Sequence, residues 1–545
     1  MKYRHFLISF IAFCCLIIPL LPSNANGKSA PPIRKIYLEK RNVFDTTGTD
    51  LWKFIAKAGN AIHCMTRDYV IENELLFDRG DPIDDDLIEE TERNLRNLGI
   101  FSSVIMELDT LNNIYITTQD SWTTRLNLVL DIGGREKAIG GGIEEVNFLG
   151  TNTSIGFSSV YKSKDQTGWQ NYFYVQNDRI FKFGLGASFS YLDDKYLQAK
   201  SAGIYKGFKS LDDKYAGGIF ASKSQGERYI YTHITDFERK KTLLHFSDQD
   251  LYACFARSWR NIDRIFFSTS IALNKAERQD HKIAYDNMGK FLVAFSSSSE
   301  EWIKTSRINS QLIEDLAVGG WGSAVLGRIF PMQNALMPAM FYVAGAASRS
   351  YLSPDETFYA FGKLQASTCF SEAEPRFTYQ EFYGLAFYRF TSELILGGRI
   401  RQQTTWNYGF YHRQMMLDNS TGLRGYRISD LVGDNRIVSN IEFRWLSGIP
   451  LWIFNLGINA FWDAGTVWRR GIPLVRTQWH HSAGIGIRLY NLMGDKNSGS
   501  FRIDFAYNFD EKRVAEVIFS TNQFFSFFSG HSFEAPKVLG IDGDY

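Results

Sequence analysis

The residues that could do chemistry are few, and they form no known catalytic set. The chain holds no Gly-x-Ser-x-Gly elbow, no His-Glu-x-x-His pair and no phosphate-binding loop. No helix pattern follows the glycine-rich stretches 140–142 and 319–322, so we interpret them as strand kinks. His480 and His481 have no third ligand at a metal-binding spacing and are interpreted as a turn pair. The sequence therefore predicts no enzyme, metal site or cofactor, and a hydrolase with a Ser/His pair on an outer wall is a remote alternative.

Cysteine spacing and net charge exclude two further classes of function. Cys14 and Cys15 lie in an N-terminal apolar run, and Cys64, Cys254 and Cys369 are scattered singly, without zinc or redox spacing. Three cysteines cannot all pair within one chain, so we expect at least one of them to be buried. The net charge is +1 and no basic stripe carries aromatic residues, so nucleic acid is not an expected partner.

The N-terminus predicts export. A basic start over residues 1–5 precedes the apolar run 6–21, and Pro22-Ser23-Asn24-Ala25 then places small residues where a signal peptidase cuts. The run is shorter than the roughly 20 residues that a membrane-spanning helix needs. We therefore predict a signal peptide over residues 1–25 rather than an uncleaved anchor. No other apolar run is long enough for a membrane helix.

The segment 33–118 is predicted to be a small α/β domain, because it alone has helical periodicity. Asp84 is expected to cap the second of two helices, and Gly99 to end it. Strand, helix, helix, strand and strand are predicted in turn over residues 33–38, 67–77, 85–98, 101–108 and 113–118. A three-stranded sheet with two helices on one face is a sensible minimum for an independent core.

From Trp122 to Phe525 the apolar period becomes two, which predicts strands with one apolar and one polar face. In Phe181–Tyr191 every odd position is apolar, and Phe501–Phe509 is nearly the same. Such segments are long enough to cross a bilayer when tilted, and aromatic residues at their ends suit its interfaces. A soluble β-sandwich also alternates, but it has fewer strands and an apolar core. We predict an all-β, antiparallel transmembrane barrel, which must close because lipid offers no partner to a strand edge.

Strand counting is clearest near the C-terminus, where five strands are predicted after residue 434. If the chain's end is periplasmic, the first of these strands runs inward from the cell surface, and the segment 404–434 is an outer loop. That loop contains Leu423-Arg424-Gly425-Tyr426. Upstream of it the pattern gives between about ten and fourteen strands, because the signal of each strand is weak.

Several motifs together resemble the BamA/TamA outer-membrane assembly superfamily, of the bacterial surface antigen type. The stretch 95–104, Leu-Arg-Asn-Leu-Gly-Ile-Phe-Ser-Ser-Val, is similar to part of a POTRA module. Residues 423–426 resemble the Arg-Gly-Phe/Tyr loop motif of the family, and 461–468 resemble its Phe-x-Asp-x-Gly strand. The stretch 147–151 is like its early hairpin. The resemblance implies a single POTRA-like domain and a sixteen-stranded barrel whose sixth outer loop folds back into the lumen.

In this family, acidic residues on the inner wall hold the loop arginine, and strand parity agrees with that arrangement. The apolar faces of the strands around Glu442 and Asp463 point outward, so both carboxylates point to the lumen. A guanidinium can bridge two carboxylates, and Gly425 allows close backbone approach. The alternatives are a solvated loop arginine and ordinary lumen carboxylates. The predicted lumen loop clamp consists of Arg424, Gly425, Tyr426, Glu442, Asp463 and Gly465.

The resemblance also implies a function. The POTRA-like domain would offer a sheet edge to an extended client, and the barrel would insert or translocate that client through a weak seam between its first and last strands. Expected partners are unfolded outer-membrane or secreted proteins, outer-membrane lipid, and periplasmic or lipoprotein partners. Room for one POTRA module favours an accessory role over the housekeeping one. The tail 526–545 departs from the family pattern. A dedicated two-partner secretion pore and a passive porin are the alternatives.

Overall fold

The computed structural model describes residues 30–44, 54, 57, 59–61, 63–133, 136–182, 184–208, 213–233, 239–260, 264–278, 286–306, 313–409, 415–426, 431–451, 454–491, 501–521, 524–525 and 533–541. The predicted signal peptide lies outside these residues. Within them, no helix is both long enough and apolar enough to span a membrane.

The N-terminal domain is a three-stranded sheet covered by helices. Its elements are β1 Lys35–Arg41, α1 Asp68–Glu72, α2 Asp85–Asn97, β2 Phe101–Leu108 and β3 Asn113–Asp120. The sheet order is β1-β3-β2, with β1 parallel and β2 antiparallel to the central strand. Ile71, Leu95 and Ile114 are fully buried in the core between helices and sheet. This is the predicted arrangement, and the burial of these side chains accounts for the helical spacing seen in the sequence.

The two helices differ in how well the sequence placed their ends. The Asp84 carboxylate accepts hydrogen bonds from the backbone N–H groups of Asp86 and Leu87, at 3.0 and 3.4 Å, and so caps α2 as predicted. Gly99 follows α2 with a positive φ of 68°, which fits its predicted role as the stop. In contrast, α1 is shorter than the predicted helix 67–77, because the chain turns after it to bury Leu75 and Phe77 in the same core.

The barrel begins with short strands and continues with long ones. The short strands are β4 Thr124–Gly133, β5 Glu136–Glu145, β6 Ser154–Lys162, β7 Gly168–Asn177, β8 Leu185–Asp193 and β9 Leu197–Lys206. The next strands are β10 Tyr215–His233, β11 Arg239–Arg260, β12 Arg264–Arg278, β13 Met288–Ser306, β14 Ile313–Pro331, β15 Met340–Leu352, β16 Phe358–Ser371, β17 Glu374–Arg389 and β18 Leu394–Trp406.

An outer loop then carries a small hairpin, and five strands complete the sheet. The hairpin strands are β19 Met415–Leu417 and β20 Leu431–Gly433. The last strands are β21 Asn435–Leu451, β22 Phe454–Trp468, β23 His480–Asn491, β24 Phe501–Asn508 and β25 Arg513–Thr521. The sheet is a closed antiparallel barrel in which β25 lies beside β4, and we call this junction the seam.

The prediction of a closed transmembrane barrel is confirmed, but the strand number of sixteen implied by the resemblance is wrong. Within the part of the chain that the structure describes, twenty strands form the closed barrel, and five of them follow residue 434 as predicted. The difference lies upstream, where short connections such as the one between β8 and β9 join strands of nine or ten residues. Sixteen strands over 122–525 would require an average of about 25 residues for each strand with its connection. The strands of these short hairpins use fewer residues than that.

Successive side chains of each strand point alternately to the outer face of the barrel and to its lumen, as predicted. On β21, Ile441 and Phe443 are 40% and 42% exposed on the outer face, whereas Glu442 is fully buried. On β22, Trp462 is exposed on the outer face and Asp463 is fully buried. The outer surface is therefore apolar, as lipid requires, and the polar faces of the strands point into the lumen. The glycine stretches 140–142 and 319–322 lie inside β5 and β14, as predicted.

The chain returns into the lumen after its last strand. Phe524 and Phe525 lie against arginines of the inner wall, and residues 533–541 contact the inner face of the wall between β11 and β18. Cys369, on β16, is buried beneath this segment with Val538 and Ile541. Among the described residues Cys64, Cys254 and Cys369 form no disulfide.

Candidate functional site

The outer loop between β18 and β21 folds inward, and hydrogen bonds within the loop fix the conformation of its turn. The Asp418 carbonyl accepts hydrogen bonds from the backbone N–H groups of Gly422 and Leu423, at 3.0 and 2.8 Å. Gly422 and Gly425 have φ values of 132° and 81°, which side chains rarely tolerate. Leu423 is fully buried against Leu417 of the hairpin, so this turn directs Arg424 at the inner wall.

Arg424 lies between the two carboxylates that strand parity had turned to the lumen. Its Nε and Nη2 donate to the two oxygens of Asp463 at 2.7 and 2.8 Å, which is a bidentate pair. Its Nη1 donates to Glu442 Oε1 at 2.6 Å. All three side chains are fully buried. The structure thus brings the predicted arginine and both predicted acids into direct contact.

A third carboxylate and two aromatic rings complete the surroundings of Arg424 and were not part of the predicted clamp. Asp504 of β24 places Oδ2 3.4 Å from Nη1 as a third carboxylate. The guanidinium also lies between two aromatic rings, 3.5 Å from the ring centroid of Phe461 and 4.0 Å from that of Phe524. The sequence could have predicted Asp504 as a lumen carboxylate, because the alternating pattern of Phe501–Phe509 places the even positions on the inner face. Phe524 lies beyond the last strand, where parity gives no information.

Additional arginines neutralise the carboxylates that Arg424 shares. Arg444 approaches Glu442 at 2.8 Å, and Arg488 donates to Asp504 at 2.6 Å. Arg444 also donates to the Phe525 carbonyl at 2.7 Å and lies 4.7 Å from its ring. Removing one partner from such a buried network leaves uncompensated charge, so the members hold one another in place.

The other predicted clamp residues fix the loop on either side of Arg424. A Cβ atom on Gly425 would lie 3.2 Å from Ala506 Cβ, and the Gly425 carbonyl accepts a hydrogen bond from Asn508 Nδ2 at 2.9 Å. The Tyr426 hydroxyl lies 3.0 Å from Asp510 Oδ2. A Cβ on Gly465 would lie 2.8 Å from Leu417 Cδ2, so this glycine makes room for the hairpin.

His480 contacts the same aspartate as Tyr426. Its Nδ1 lies 2.6 Å from Asp510 Oδ2, the oxygen that Tyr426 also approaches. The ring of His481 stacks on that of Trp462 at 5.7 Å. The His480 ring therefore contributes to the contact between the loop and the barrel rim, whereas the His481 ring lies on the outer face.

The N-terminal domain contacts the end of the barrel at which the β5–β6 and β7–β8 connections lie. Glu74 and Arg179 form an ion pair at 2.7 Å, and Asn147 Nδ2 donates to Thr66 Oγ1 at 2.8 Å. The Arg67 N–H donates to the Gly150 carbonyl at 2.9 Å. Between α2 and the inner wall of β9–β14 lies a cavity of about 1240 Å³, which we call the mouth cavity.

One segment of the chain matches a known family, and several solved structures are similar to the chain. Residues 63–121 match the POTRA family model, described as surface antigen variable number repeat. BamA from Haemophilus ducreyi lacking POTRA domains 1–3 is 12% identical, with 89% of this chain and 83% of that chain covered and a TM-score of 0.36. CdiB from Acinetobacter baumannii is 12% identical, with 90% and 73% covered and a TM-score of 0.42. The FrpB iron transporter from Neisseria meningitidis is 9% identical, with 72% and 79% covered and a TM-score of 0.39. No curated protein sequence matches the chain.

The fold and the family match define the class of protein. The N-terminal domain is a POTRA domain, and a closed barrel with an apolar outer surface follows it. The chain is therefore an outer-membrane β-barrel protein with its POTRA domain in the periplasm. This is the architecture predicted from the BamA/TamA resemblance.

Proposed function

We propose that the protein is an accessory outer-membrane factor that inserts or exports unfolded client proteins by binding and guiding them, without catalysing a reaction. Its partners would be unfolded outer-membrane or secreted polypeptides, the surrounding lipid, and periplasmic or lipoprotein partners that deliver clients. One POTRA domain within the chain supports the accessory role, because a single docking module suits a narrower set of clients.

The observation that carries the proposal is the mouth cavity. Its wall includes Arg93 and Asn97 of α2 on one side and Ala216 and Trp302 of the barrel on the other. The POTRA domain thus borders a path into the lumen instead of standing apart from it. A passive pore would need no such domain at its periplasmic end.

Two sheet features support the handling of extended chains. The outer edges of β1 and β2 pair with no other strand among the described residues, so either edge can take an added strand through main-chain hydrogen bonds. At the seam, β25 has nine residues and β4 has ten. Strands of about this length only just cross a bilayer, which makes the seam a suitable place for lateral release.

A reconstitution assay tests the path. In liposomes containing the purified protein, we expect a urea-unfolded outer-membrane barrel to fold faster than in empty liposomes. Ala216→Trp, which fills the mouth cavity from β10, should slow that folding several-fold. Ile219→Trp is the matched control, because Ile219 lies on the same strand but is 61% exposed on the lipid face. Equal rates for both variants and the wild type would contradict the proposed path.

Depletion in cells tests the class of function. Loss of many outer-membrane barrels on depletion would support an assembly factor, and loss of one secreted protein would support a dedicated secretion pore. An unchanged outer membrane and secretome would reject both. Steady conductance in planar bilayers, without any effect on clients, would favour a passive porin.

A further inference from the structure

Residues 533–541, which we call the lumen tail, run inside the barrel from its periplasmic end toward its outer end. At the periplasmic end, the ring of Phe533 lies 5.2 Å from that of Phe208 and 5.6 Å from that of Phe266. At the outer end, the Gly540 carbonyl accepts a hydrogen bond from the Tyr408 hydroxyl at 2.8 Å. Nine residues reach at most about 30 Å, so the tail is long enough to span the hydrocarbon thickness.

Hydroxyl groups of the wall bind the main chain of the tail. Ser270 donates to the Pro536 carbonyl at 2.6 Å, and Ser367 donates to the Leu539 carbonyl at 3.2 Å. The Tyr342 hydroxyl accepts from the Leu539 N–H at 2.9 Å. In each contact the tail supplies a main-chain group. Any extended peptide carries the same groups, so these contacts place little demand on its sequence.

Two aliphatic side chains provide the part of the fit that depends on sequence. Val538 and Ile541 are 1% and 0% exposed. They pack in one cluster with apolar residues of the inner wall and its outer rim, among them Leu292, Met340, Tyr342, Cys369 and Tyr408. The inner wall of such barrels is usually polar, so an apolar stripe there needs an apolar occupant.

The occupant does not fill its groove. A cavity of about 190 Å³ remains between Pro536–Val538 and the wall of β11–β13. The lower end of the groove opens into the mouth cavity, where Phe533 and Lys537 share the lining with Arg93 of the POTRA helix α2. A chain delivered at the POTRA domain therefore reaches this groove first.

We propose that this groove on the inner wall of β11–β18 is a binding site for an extended client segment carrying aliphatic side chains, and that the lumen tail is its resident competitor. The proposal deepens the proposed function, on which the identity of the occupant rests. A client segment displaces the tail by repeating its main-chain hydrogen bonds and filling the pockets of Val538 and Ile541. The tail keeps the groove covered until a client arrives.

Cys369 provides a built-in reporter, because it is 1% exposed and packs in the same cluster as Val538 and Ile541. A variant with Cys64→Ser and Cys254→Ser leaves it as the single thiol after residue 25. Labelling of this variant with a small maleimide should be slow. Ending the chain after Phe525, which keeps both phenylalanines on the arginine network, should accelerate labelling on the order of tenfold.

A synthetic peptide with the sequence of residues 533–541 then tests the groove. Added to the truncated protein, it should restore slow labelling, and a peptide with Asp in place of Val538 and Ile541 should not. A full-length variant with Val538→Asp and Ile541→Asp should label as fast as the truncated protein, which guards against a folding defect of the truncation. Unchanged protection after truncation, or no protection by the peptide, would overturn the site.

A urea-unfolded outer-membrane barrel protein tests the occupant. It should slow Cys369 labelling of the truncated protein, and the tail peptide should compete with it. Protection by the peptide but not by the unfolded protein would overturn the client as occupant. If clients fold faster with the wild type but never protect Cys369, the proposed function stands and the groove proposal fails. If clients protect Cys369 but do not fold faster, the groove stands and the proposed function fails.

Discussion

Among the described residues, two segments lie in the lumen of this barrel, and opposite kinds of interaction hold them. The outer loop is fixed near the seam by Arg424, whose guanidinium contacts three buried carboxylates. The lumen tail lies on the inner wall of β11–β18. There, serine and tyrosine hydroxyls bind its main chain, and Val538 and Ile541 pack in an apolar cluster. One segment is held by charge at fixed positions, and the other by contacts that many peptides could make.

The difference indicates which segment is permanent. Withdrawing Arg424 would leave buried carboxylates without their cationic partner, and the loss of such a partner costs about 3–5 kcal/mol in one step. A neutral hydrogen bond of the tail contributes only about 1 kcal/mol, so the tail can leave in small steps while a competitor replaces it. We therefore expect the loop to behave as part of the wall and the tail to behave as an exchangeable ligand.

The largest effect is expected from Arg424→Ala. The loop should lose about 3–5 kcal/mol of local stability, because Asp463, Glu442 and Asp504 all lose a buried partner. Hydrogen exchange of residues 415–426 should become fast while the barrel strands stay protected. The matched control is Arg469→Ala, since Arg469 is an exposed arginine on the connection after β22. Wild-type protection of the loop in R424A would contradict the clamp.

A smaller and more specific effect separates the acids. Asp463→Asn removes the bidentate partner of Arg424, and the loop should lose roughly 2 kcal/mol of local stability. Asp504→Asn should leave the loop protected, because Asp504 lies 3.4 Å from Arg424 but only 2.6 Å from Arg488. Hydrogen exchange of residues 415–426 distinguishes the two variants. Equal loss in both would mean that the acids act as one undivided network.

The two acids of the clamp could be predicted from the sequence because they lie on regular strands. A period of two decides which face each side chain takes, so Glu442 and Asp463 could be placed in the lumen without coordinates. The same rule places Asp504 of β24 in the lumen, although the predicted clamp did not include it. Phe461 lies two residues before Asp463 on β22, so the same rule places it in the lumen, although its contact with a guanidinium was not expected.

The position of the lumen tail and the number of strands could not be predicted from the sequence in this way. Residues 533–541 have no helical or strand period, and Val538 and Ile541 are buried by a wall made of residues more than a hundred positions away. Sequence patterns report local periodicity, and such a contact has none. The strand number failed where short hairpins such as β8–β9 follow one another, because each strand gives a weak signal.

On the tail side, Gly540→Ala should give a moderate effect. Gly540 has a φ of 85°, and a Cβ there would lie 2.7 Å from the Tyr408 hydroxyl and 2.8 Å from Tyr379 Cβ. Backbone strain of about 1–2 kcal/mol should loosen the outer end of the tail and accelerate Cys369 labelling. Glu534→Ala, at an exposed tail position, is the control. The loop 415–426 should stay protected in both variants, and its loss in G540A would show that the two segments are coupled.

The smallest effect is expected from Tyr342→Phe, which removes one hydroxyl and leaves the ring. That hydroxyl accepts from the Leu539 N–H at 2.9 Å and lies 3.4 Å from the Lys537 carbonyl, so it bridges two main-chain groups of the tail. Its loss should weaken tail binding by about 1 kcal/mol, seen as an increase of roughly fivefold in Cys369 labelling. Tyr351→Phe on the same strand is the control, because Tyr351 is 52% exposed on the outer face. An increase as large as that caused by truncation would mean that this one hydroxyl holds the whole tail, and the tail would then be latched at a point, as the loop is.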